Sequence, residues 1–564
     1  MCATSFPDAP DGREPHPWEG QYPVGVAWDS DIPPQRIDSL LDQAAAQHPD
    51  RACMDFLGKR YSYGQIATLV ARAAHGFRTL GVGLGVKVAI LLPNSPYAVI
   101  SYFAVLKAGG TVVNCNPLCA APEFVRQVAD AEAGIIVTLD VSALYEKVAA
   151  ALEETTVRHV IVCPMADALT FLKATLFRIA HWRERARVPK DNRHLFFDEL
   201  IAREPLGLVN EANPERDVAV IQYTGGTTGD PKGVMLTHQN VYANTRQITL
   251  WFTQAKPDAE RVLAILPFSH SFGMTAVMNF ALSLSAEMVI LPRFDLTEML
   301  DTIDRRRVTM LIGVPTLFHA INEFPELSRY ALSSLRVAVS GGDTLPLAVQ
   351  QRFVSLTGCD LAEGYGLTEC APVVTCSNPL AGIARPGSCG LPLPRTVVEI
   401  VSIEDHETAL PSGEVGEICV RGPQVMLGYW KQPMATQGCM TSGRLHTGDV
   451  GRMDGDGYLY FVDRLKEVIV VHGYKVYPRL VEEAIRAHPA VAEAAVVGIA
   501  DETRGHVPKA YVVCRAGATL SAETLLGFLS GHLSPIALPR EIEFREALPK
   551  SIAGKILKRS LTGG

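Results

Sequence analysis

The stretch that most constrains this chain is YTGGTTGDPKGVMLTH, which begins at Tyr223 directly after the apolar, strand-like run Asp217 to Gln222. Its residues suit a phosphate cradle. Gly225, Gly226 and Gly229 let the backbone reach positive φ and bring successive N–H groups close to an anion. Thr224, Thr227 and Thr228 add hydroxyl donors, Lys232 supplies a point charge for a polyphosphate, and Pro231 stiffens the loop before it. A nucleoside triphosphate is the expected ligand. The pattern is not a Walker loop, in which Gly-Lys-Ser/Thr opens a helix, because Lys232 lies between Pro231 and Gly233. An ordinary flexible surface loop is the alternative, and the concentration of glycine, threonine and lysine behind a buried strand disfavours it.

At 564 residues, with 48% hydrophobic and 20% charged positions, the chain reads as a soluble protein of several domains. A net charge of -8 gives no bulk attraction to nucleic acid, which is excluded as a partner. The 12 cysteines are scattered, and close pairs such as Cys115 with Cys119 and Cys370 with Cys376 lack zinc-type CxxC spacing. They read as reduced thiols, and a cytoplasmic location is expected. Residues 1–35 are rich in Pro, Asp and Gly without an apolar core, and are expected to be a flexible tail, not a signal peptide or anchor. No apolar run reaches membrane-spanning length.

Ile37 to Asp50 reads as an amphipathic helix, and Val88 to Leu92, Thr111 to Asn114 and Gly134 to Thr138 as short strands between helical stretches. This alternation implies parallel α/β layers, continuing from Asp217 to about Gly390 with further strands at Val308 to Gly313 and Leu335 to Ser340. From Val397 to Asp463 short alternating strands suggest a β-rich subdomain; beyond Lys466 a helix at Arg479 to His488 and strands at Ala494 to Ile499 and Ala510 to Arg515 suggest a compact α+β tail. The expected fold is thus α/β, with a large domain over 36–465 (396–465 β-rich) and a small mobile C-terminal lid over 466–564.

Between these lies a segment in which Leu169, Leu172, Leu176 and Ile179 recur at helical spacing among Lys173, Arg178, Arg183, Arg185 and Arg187. Such a helix can lie on anionic lipid, but a helix that packs its leucines on its own domain is the favoured reading. Peripheral contact with the cytoplasmic membrane face stays open, as does a homodimer.

Downstream comes EGYGLTE, Glu363 to Glu369. Gly364 and its neighbouring glycine permit close backbone approach to a flat ring on which Tyr365 can stack, and Glu369 is a hard oxygen ligand suited, with Thr224, to Mg²⁺. The turn His446-Thr447-Gly448-Asp449 places a carboxylate where it can bind both hydroxyls of a ribose, with Arg464 to assist. Each motif alone is weak. Their order, followed by LPKSIAGKI with Lys555 near the end, is far more specific.

In this order the segments resemble the adenylate-forming superfamily of acyl-CoA synthetases, peptide-synthetase adenylation domains and luciferases, over roughly Ile37 to Leu561. Within it, YTGGTTG, YGLTEC, RPGSCGLPLP and DRLKEVIVVHGYKVYP are most similar to medium- or long-chain fatty acyl-CoA ligases. The resemblance implies a two-step reaction. A carboxylate attacks the α-phosphate of Mg·ATP with loss of pyrophosphate, and the acyl-adenylate is captured by the thiol of coenzyme A. It assigns Lys555 and Thr368 with Mg²⁺ to the transferring centre, Lys232 and the threonine loop to the β- and γ-phosphates, Gly342 and Asp343 with Glu363 and Gly364 to adenine, and Asp449 to ribose. Lys466 becomes the candidate hinge, and His472, Gly473 and Tyr474 the segment that meets the pantetheine arm. His270, in LPFSHSFGM, matches a position at the acyl pocket. Met274, Val277, Met278 and Phe280 after it suit a fatty acid, and no aspartate between Pro267 and Phe280 offers to hold an α-amine.

The chain departs from the family pattern at Ser442-Gly443-Arg444, where Asp-Gly-Trp is common, at Leu480, and at Ile536-Ala537. These positions bear on thiol capture more than on adenylation. An aryl-CoA ligase, or a ligase that loads a carrier protein, is the alternative expectation; a non-catalytic binder is disfavoured by the joint presence of Lys232, Thr368, Glu369, Asp449, Arg464 and Lys555.

Overall fold

The computed structural model describes residues 15–204, 210–224, 231–256, 259–471, 474–501, 505–550 and 556–561. By its contacts the chain divides into two compact units, Met1–Val397 with Arg421–Gly443, and Val398–Val420 with Arg444–Gly564. The α/β class with a β-rich region and a small α+β C-terminal part is the fold observed.

Two sheets form the first unit. One of nine strands runs Leu391–Pro392, Val373–Cys376, Leu361–Gly366, Val337–Ser340, Met310–Gly313, Arg261–Ala264, Glu287–Ile290, Ala52–Phe56 and Lys59–Ser62. Its centre is parallel and its outermost pairings antiparallel. The other, of eight, runs Gly428–Tyr429, Lys232–Thr237, Val218–Thr224, Thr111–Asn114, Lys87–Leu91, Ile135–Leu139, His159–Cys163 and His194–Phe196, and only its first two pairings are antiparallel. The central strands are continuous apolar runs because helices cover both faces, as parallel sheets require. The strands expected in this unit are found within two residues of their predicted ends.

One helix does most to position the site. His238–Trp251 starts in a capping box, where the Thr237 hydroxyl accepts from Asn240 N–H and the Asn240 side chain accepts from Thr237 N–H. It is buried almost throughout, so its polar side chains must find partners inside the protein. Asn244 meets Val373 twice, donating to its carbonyl at 2.7 Å and accepting from its N–H at 2.9 Å. Gln247 donates to the Pro394 carbonyl at 2.7 Å. These bonds hold the strand that follows EGYGLTE.

In the second unit Gly416–Arg421, Arg444–Met453 and Leu459–Arg464 form an antiparallel ladder. The C-terminal segment builds a separate sheet, in which Val491–Asp501 and Gly505–Cys514 pair over ten registered positions and Pro478–Arg486 and Ala522–Leu529 supply the covering helices. From Ile469 onward the residues enclose a core of their own around Val481, Ile485, Val496, Val512 and Leu525. The two parts group together because the buried Asp463 carboxylate accepts from the N–H groups of both Arg464 and Arg479, at 2.8 Å each, and Arg479 donates to the Phe461 carbonyl at 3.0 Å.

The basic segment corrects the favoured reading. Phe171–Ala180 is a helix, but Leu172, Leu176 and Ile179 are 74, 67 and 68% exposed, with Phe171 and Trp182 equally open. Only Leu169, before the helix, and Ala174 are buried. Two basic side chains, themselves exposed, tie the helix to its surroundings: Lys173 donates to the Leu57 carbonyl at 2.8 Å and Arg178 pairs with Asp167 at 2.7 Å. Among the described residues, no helix is long and apolar enough to cross a membrane.

Candidate active site

Thr224 and Lys232 stand opposite each other at the open end of the Val218–Thr224 and Lys232–Thr237 pair. Gly225, Gly226, Thr227, Thr228 and Gly229 between them lie outside the described residues, as do His472, Gly473 and Lys555. The strands on either side of the loop are firmly held. The Thr224 hydroxyl lies 3.5 Å from the Lys232 carbonyl, and the Tyr223 hydroxyl donates to Asp130 at 2.5 Å.

The Lys232 ammonium sits over the ring of Tyr429, 4.8 Å from its centroid, and the Tyr429 hydroxyl donates to Glu369 Oε1 at 2.8 Å. Gly428–Tyr429 arrives as an added edge strand on Lys232–Thr237, and Met426 N–H donates to the Glu369 carbonyl at 2.8 Å. Burial, and then the charge of Glu369, push the Tyr429 pKa well up, so the phenol remains a proton donor at neutral pH. Tyr429 was not singled out in the sequence, because a two-residue strand carries no periodic signal; the Gly-Tyr-Trp after Arg421 is the cue that was available.

Glu363 is buried and accepts from Leu345 N–H at 3.1 Å. This draws the loop containing Gly342 and Asp343 against the strand Leu361–Gly366, beside the parallel end of Val337–Ser340 where ligands of such sheets bind. Gly342 and Asp343 are exposed, and Tyr365 is buried. Gly366 permits the turn that follows: a Cβ there would lie 2.0 Å from the Pro372 carbonyl oxygen, which already accepts from Leu367 N–H at 3.0 Å.

Thr368, next in line, shares a 3.1 Å hydrogen bond with Ser271, the residue after His270. That loop is pinned by Asn94, which donates to the Leu266 carbonyl and accepts from Phe268 N–H at 2.8 Å each, and by Gln222, which donates to the Ser269 carbonyl at 2.8 Å. The chain then enters a π-helical turn, Gly273–Asn279, where a Cβ on Gly273 would meet the Pro267 oxygen at 2.2 Å. Met274, Val277, Met278 and Phe280 are fully packed, at 0 to 3% exposure, and back the loop as core. His270 Nδ1 accepts from Phe272 N–H at 3.2 Å, and desolvation lowers the ring's pKa, favouring neutral imidazole.

Two hydrogen bonds and one cation–π contact therefore join Lys232, Glu369, Thr368 and the His270 loop, which are widely separated in sequence. In the second unit Asp449 is buried and lies 3.6 Å from the Arg464 guanidinium, its partner across the ladder. The segment expected as a turn lies instead within the strand Arg444–Met453, at an irregularity of its register where Gly448 has φ 71°. Thr447 holds it there, its hydroxyl donating to the Ile418 carbonyl at 2.7 Å and accepting from Asp449 N–H at 3.1 Å. Lys466 is exposed in the short turn Leu465–Glu467, and Tyr474 is exposed.

A lysine held over a phenol ring, a held carboxylate and a pinned loop beside parallel-centred sheets suit a nucleotide-binding enzyme. Comparison with family models agrees: residues 41–430 match the AMP-binding enzyme model and residues 480–555 the AMP-binding enzyme C-terminal domain. The chain belongs to the AMP-binding enzyme family. It is 42% identical over 549 residues to a long-chain-fatty-acid–CoA ligase of Bacillus subtilis, covering 97% of both chains. A rice 4-coumarate–CoA ligase is 34% identical, with 92% of this chain and 90% of the relative aligned. Among solved structures, ATP-bound MatB of Rhodopseudomonas palustris superposes with a TM-score of 0.82 at 28% identity, over 93% of this chain and 98% of MatB. An anthranilate CoA ligase in complex with anthranoyl-AMP gives 0.83 at 25%, over 95 and 98%.

Gly366→Ala forces the backbone on either side of Thr368 to separate. Adenylate formation, read as pyrophosphate release, should fall by about 10²-fold, the typical cost of misplacing reacting groups by about 1 Å, while circular dichroism stays that of the parent.

Proposed function

We propose that the chain activates a fatty acid as its acyl-adenylate, releasing pyrophosphate from ATP, and passes the acyl group to coenzyme A. The observation that carries this reading is the array Lys232–Tyr429–Glu369 beside Thr368. It sets a cation for polyphosphate and a carboxylate for a metal at one place without letting them neutralise each other. Full-length similarity to long-chain-fatty-acid–CoA ligases supports the substrate class.

Attack of a carboxylate on the α-phosphate brings two anions together, so the residues must hold them in line and offset the charge that develops. Lys232, with Thr224, Thr227, Thr228 and the loop glycines, binds the β- and γ-phosphates. Glu363, Gly364, Tyr365, Gly342 and Asp343 form the adenine site, and Asp449 with Arg464 takes the ribose. Glu369 fits Mg²⁺: Oε1 is taken by Tyr429, and among the described residues no donor is bonded to Oε2. When bound, the metal neutralises phosphate charge during transfer. Thr368 orients the transferring group, and neutral His270 borders the acyl pocket without adding charge next to the incoming carboxylate. The C-terminal domain, 466–564, turns about Lys466, bringing Lys555 to the α-phosphate for adenylation and Gly473 and Tyr474 to the pantetheine arm afterwards.

The test is pyrophosphate release and CoA-thioester formation across free acids from acetate through palmitate and oleate to benzoate and coumarate. Thioester should form with mid- or long-chain acids. Formation with the aryl acids alone would replace the substrate class, and pyrophosphate release without thioester would replace the acceptor with a carrier protein. In the same assays Lys555→Ala should slow adenylation by on the order of 10² while thioester formation from supplied acyl-adenylate survives. Equal loss in both half-reactions would remove Lys555 from that role.

The exposed face of Phe171–Ala180 serves as a peripheral membrane contact, which would bring the enzyme to a lipid-held substrate. Support comes from the inverted helix, whose apolar face is turned to solvent while Lys173 and Arg178 anchor it to the body. The protein should co-sediment with phosphatidylglycerol vesicles at low salt, release as salt rises, and lose binding in the Leu172→Glu/Leu176→Glu variant. No sedimentation at low salt would overturn this contact.

A further inference from the structure

Glu417, on the strand Gly416–Arg421, is buried at 3% exposure, and its Oε2 stands 3.0 Å from Nδ1 of His446 and 3.0 Å from Nδ1 of His406. Cys419, two residues along and so on the same face, pairs in register with His446 and sets its Sγ 3.4 Å from the same Nδ1. His406 comes from the turn before this strand, with the left-handed φ of 56° that histidine tolerates better than most residues. That turn is built, not loose. His406 N–H donates to the Ser402 carbonyl at 2.9 Å, and Asp405 accepts from the N–H groups of Glu407 and Thr408 at 3.0 Å each and from the Thr408 hydroxyl at 2.5 Å.

Hydrogen bonds account for this group incompletely. His446 Nδ1 carries at most one proton, yet it faces both a carboxylate oxygen and a thiol sulfur. The Glu417 carboxylate receives Gly448 N–H on Oε1 at 3.0 Å, and among the described residues no lysine or arginine pairs with it. A buried carboxylate of this kind calls for a cation. Ligand atoms of His406, Glu417 and His446 all lie within 4.8 Å of one another. Tetrahedral zinc with its usual bond lengths separates neighbouring N and O ligands by about 3.3 Å. Glu417 Oε2 lies 3.0 Å from each imidazole nitrogen, so small outward shifts of these three groups admit the ion.

We propose that His406, Glu417 and His446 form a binding site for a zinc-class divalent cation. Two imidazoles and one carboxylate favour zinc over magnesium, which prefers oxygen alone. On binding, each imidazole coordinates through Nδ1 and keeps its proton on Nε2. Three protein ligands leave the fourth tetrahedral position to a water. Half-exposed His406 is the ligand at which the ion enters.

Cobalt(II) reads the site directly. Full-length protein stripped with chelator and titrated with Co²⁺ should develop a visible d–d band that saturates at one equivalent. His406→Gln, a change at an exposed turn, should weaken binding by about tenfold or more. Zn²⁺ should raise the melting temperature of the parent but not of His406→Gln. Titrations that fail to saturate at one equivalent, or that are alike in parent and His406→Gln, would assign the metal to other groups and overturn the site.

Discussion

The charge arrangement of the larger unit depends on the Tyr429 phenol, which touches Lys232 with its ring face and Glu369 with its hydroxyl. A direct ion pair between that lysine and that glutamate would satisfy both and leave neither for a ligand. With the ring interposed, the ammonium is held by a cation–π contact that locates it without cancelling its charge. The carboxylate is held through one oxygen by a neutral donor, and among the described residues no donor is bonded to the other. Because burial keeps the phenol protonated, the arrangement does not relax by proton transfer at neutral pH.

That contact requires three segments to meet, and buried amides bring them together. Asn244 clamps Val373 behind EGYGLTE, Asn94 and Gln222 clamp the His270 loop, and Asn240 donates to the Pro423 carbonyl at 2.9 Å, a few residues ahead of Tyr429. Each is an amide with both a donor and an acceptor, able to bind backbone where no ladder continues. The apolar core fixes the sheets, and these amides fix the loops at the sheet ends.

Strands and helices with strong periodicity were legible in the sequence, where Lys232, Glu369 and Asp449 stand out only as charges set among glycine and threonine. Residues that act by joining segments were not. Tyr429 sits in a two-residue edge strand, Ser271 is one serine among many, and His406 lies in a turn whose left-handed backbone aims its ring; none has a pattern in one dimension. The basic helix shows a different limit. Spacing established that Leu172, Leu176 and Ile179 share a face, but the side turned to the protein was decided by partners elsewhere, the Leu57 carbonyl and Asp167.

An acyl-adenylate acylates any accessible thiolate, so an enzyme that makes one must keep its own thiols quiet until coenzyme A arrives. The described residues include eleven cysteines, and nine of these are buried. Burial pushes the Cys359 and Cys376 thiols up to about 12 and Cys119 to about 11, and pushes Cys53, Cys115 and Cys163 well up too. Cys376 matters most, since it pairs in register with Gly364 of the proposed adenine segment and is the thiol nearest that backbone. Its sulfur lies 3.1 Å from the Ser377 carbonyl, an acceptor that favours the protonated form. Desolvation thus does by exclusion what a catalytic cysteine would need a neighbouring cation to reverse, so these buried thiols do not compete with an incoming thiol in the second half-reaction.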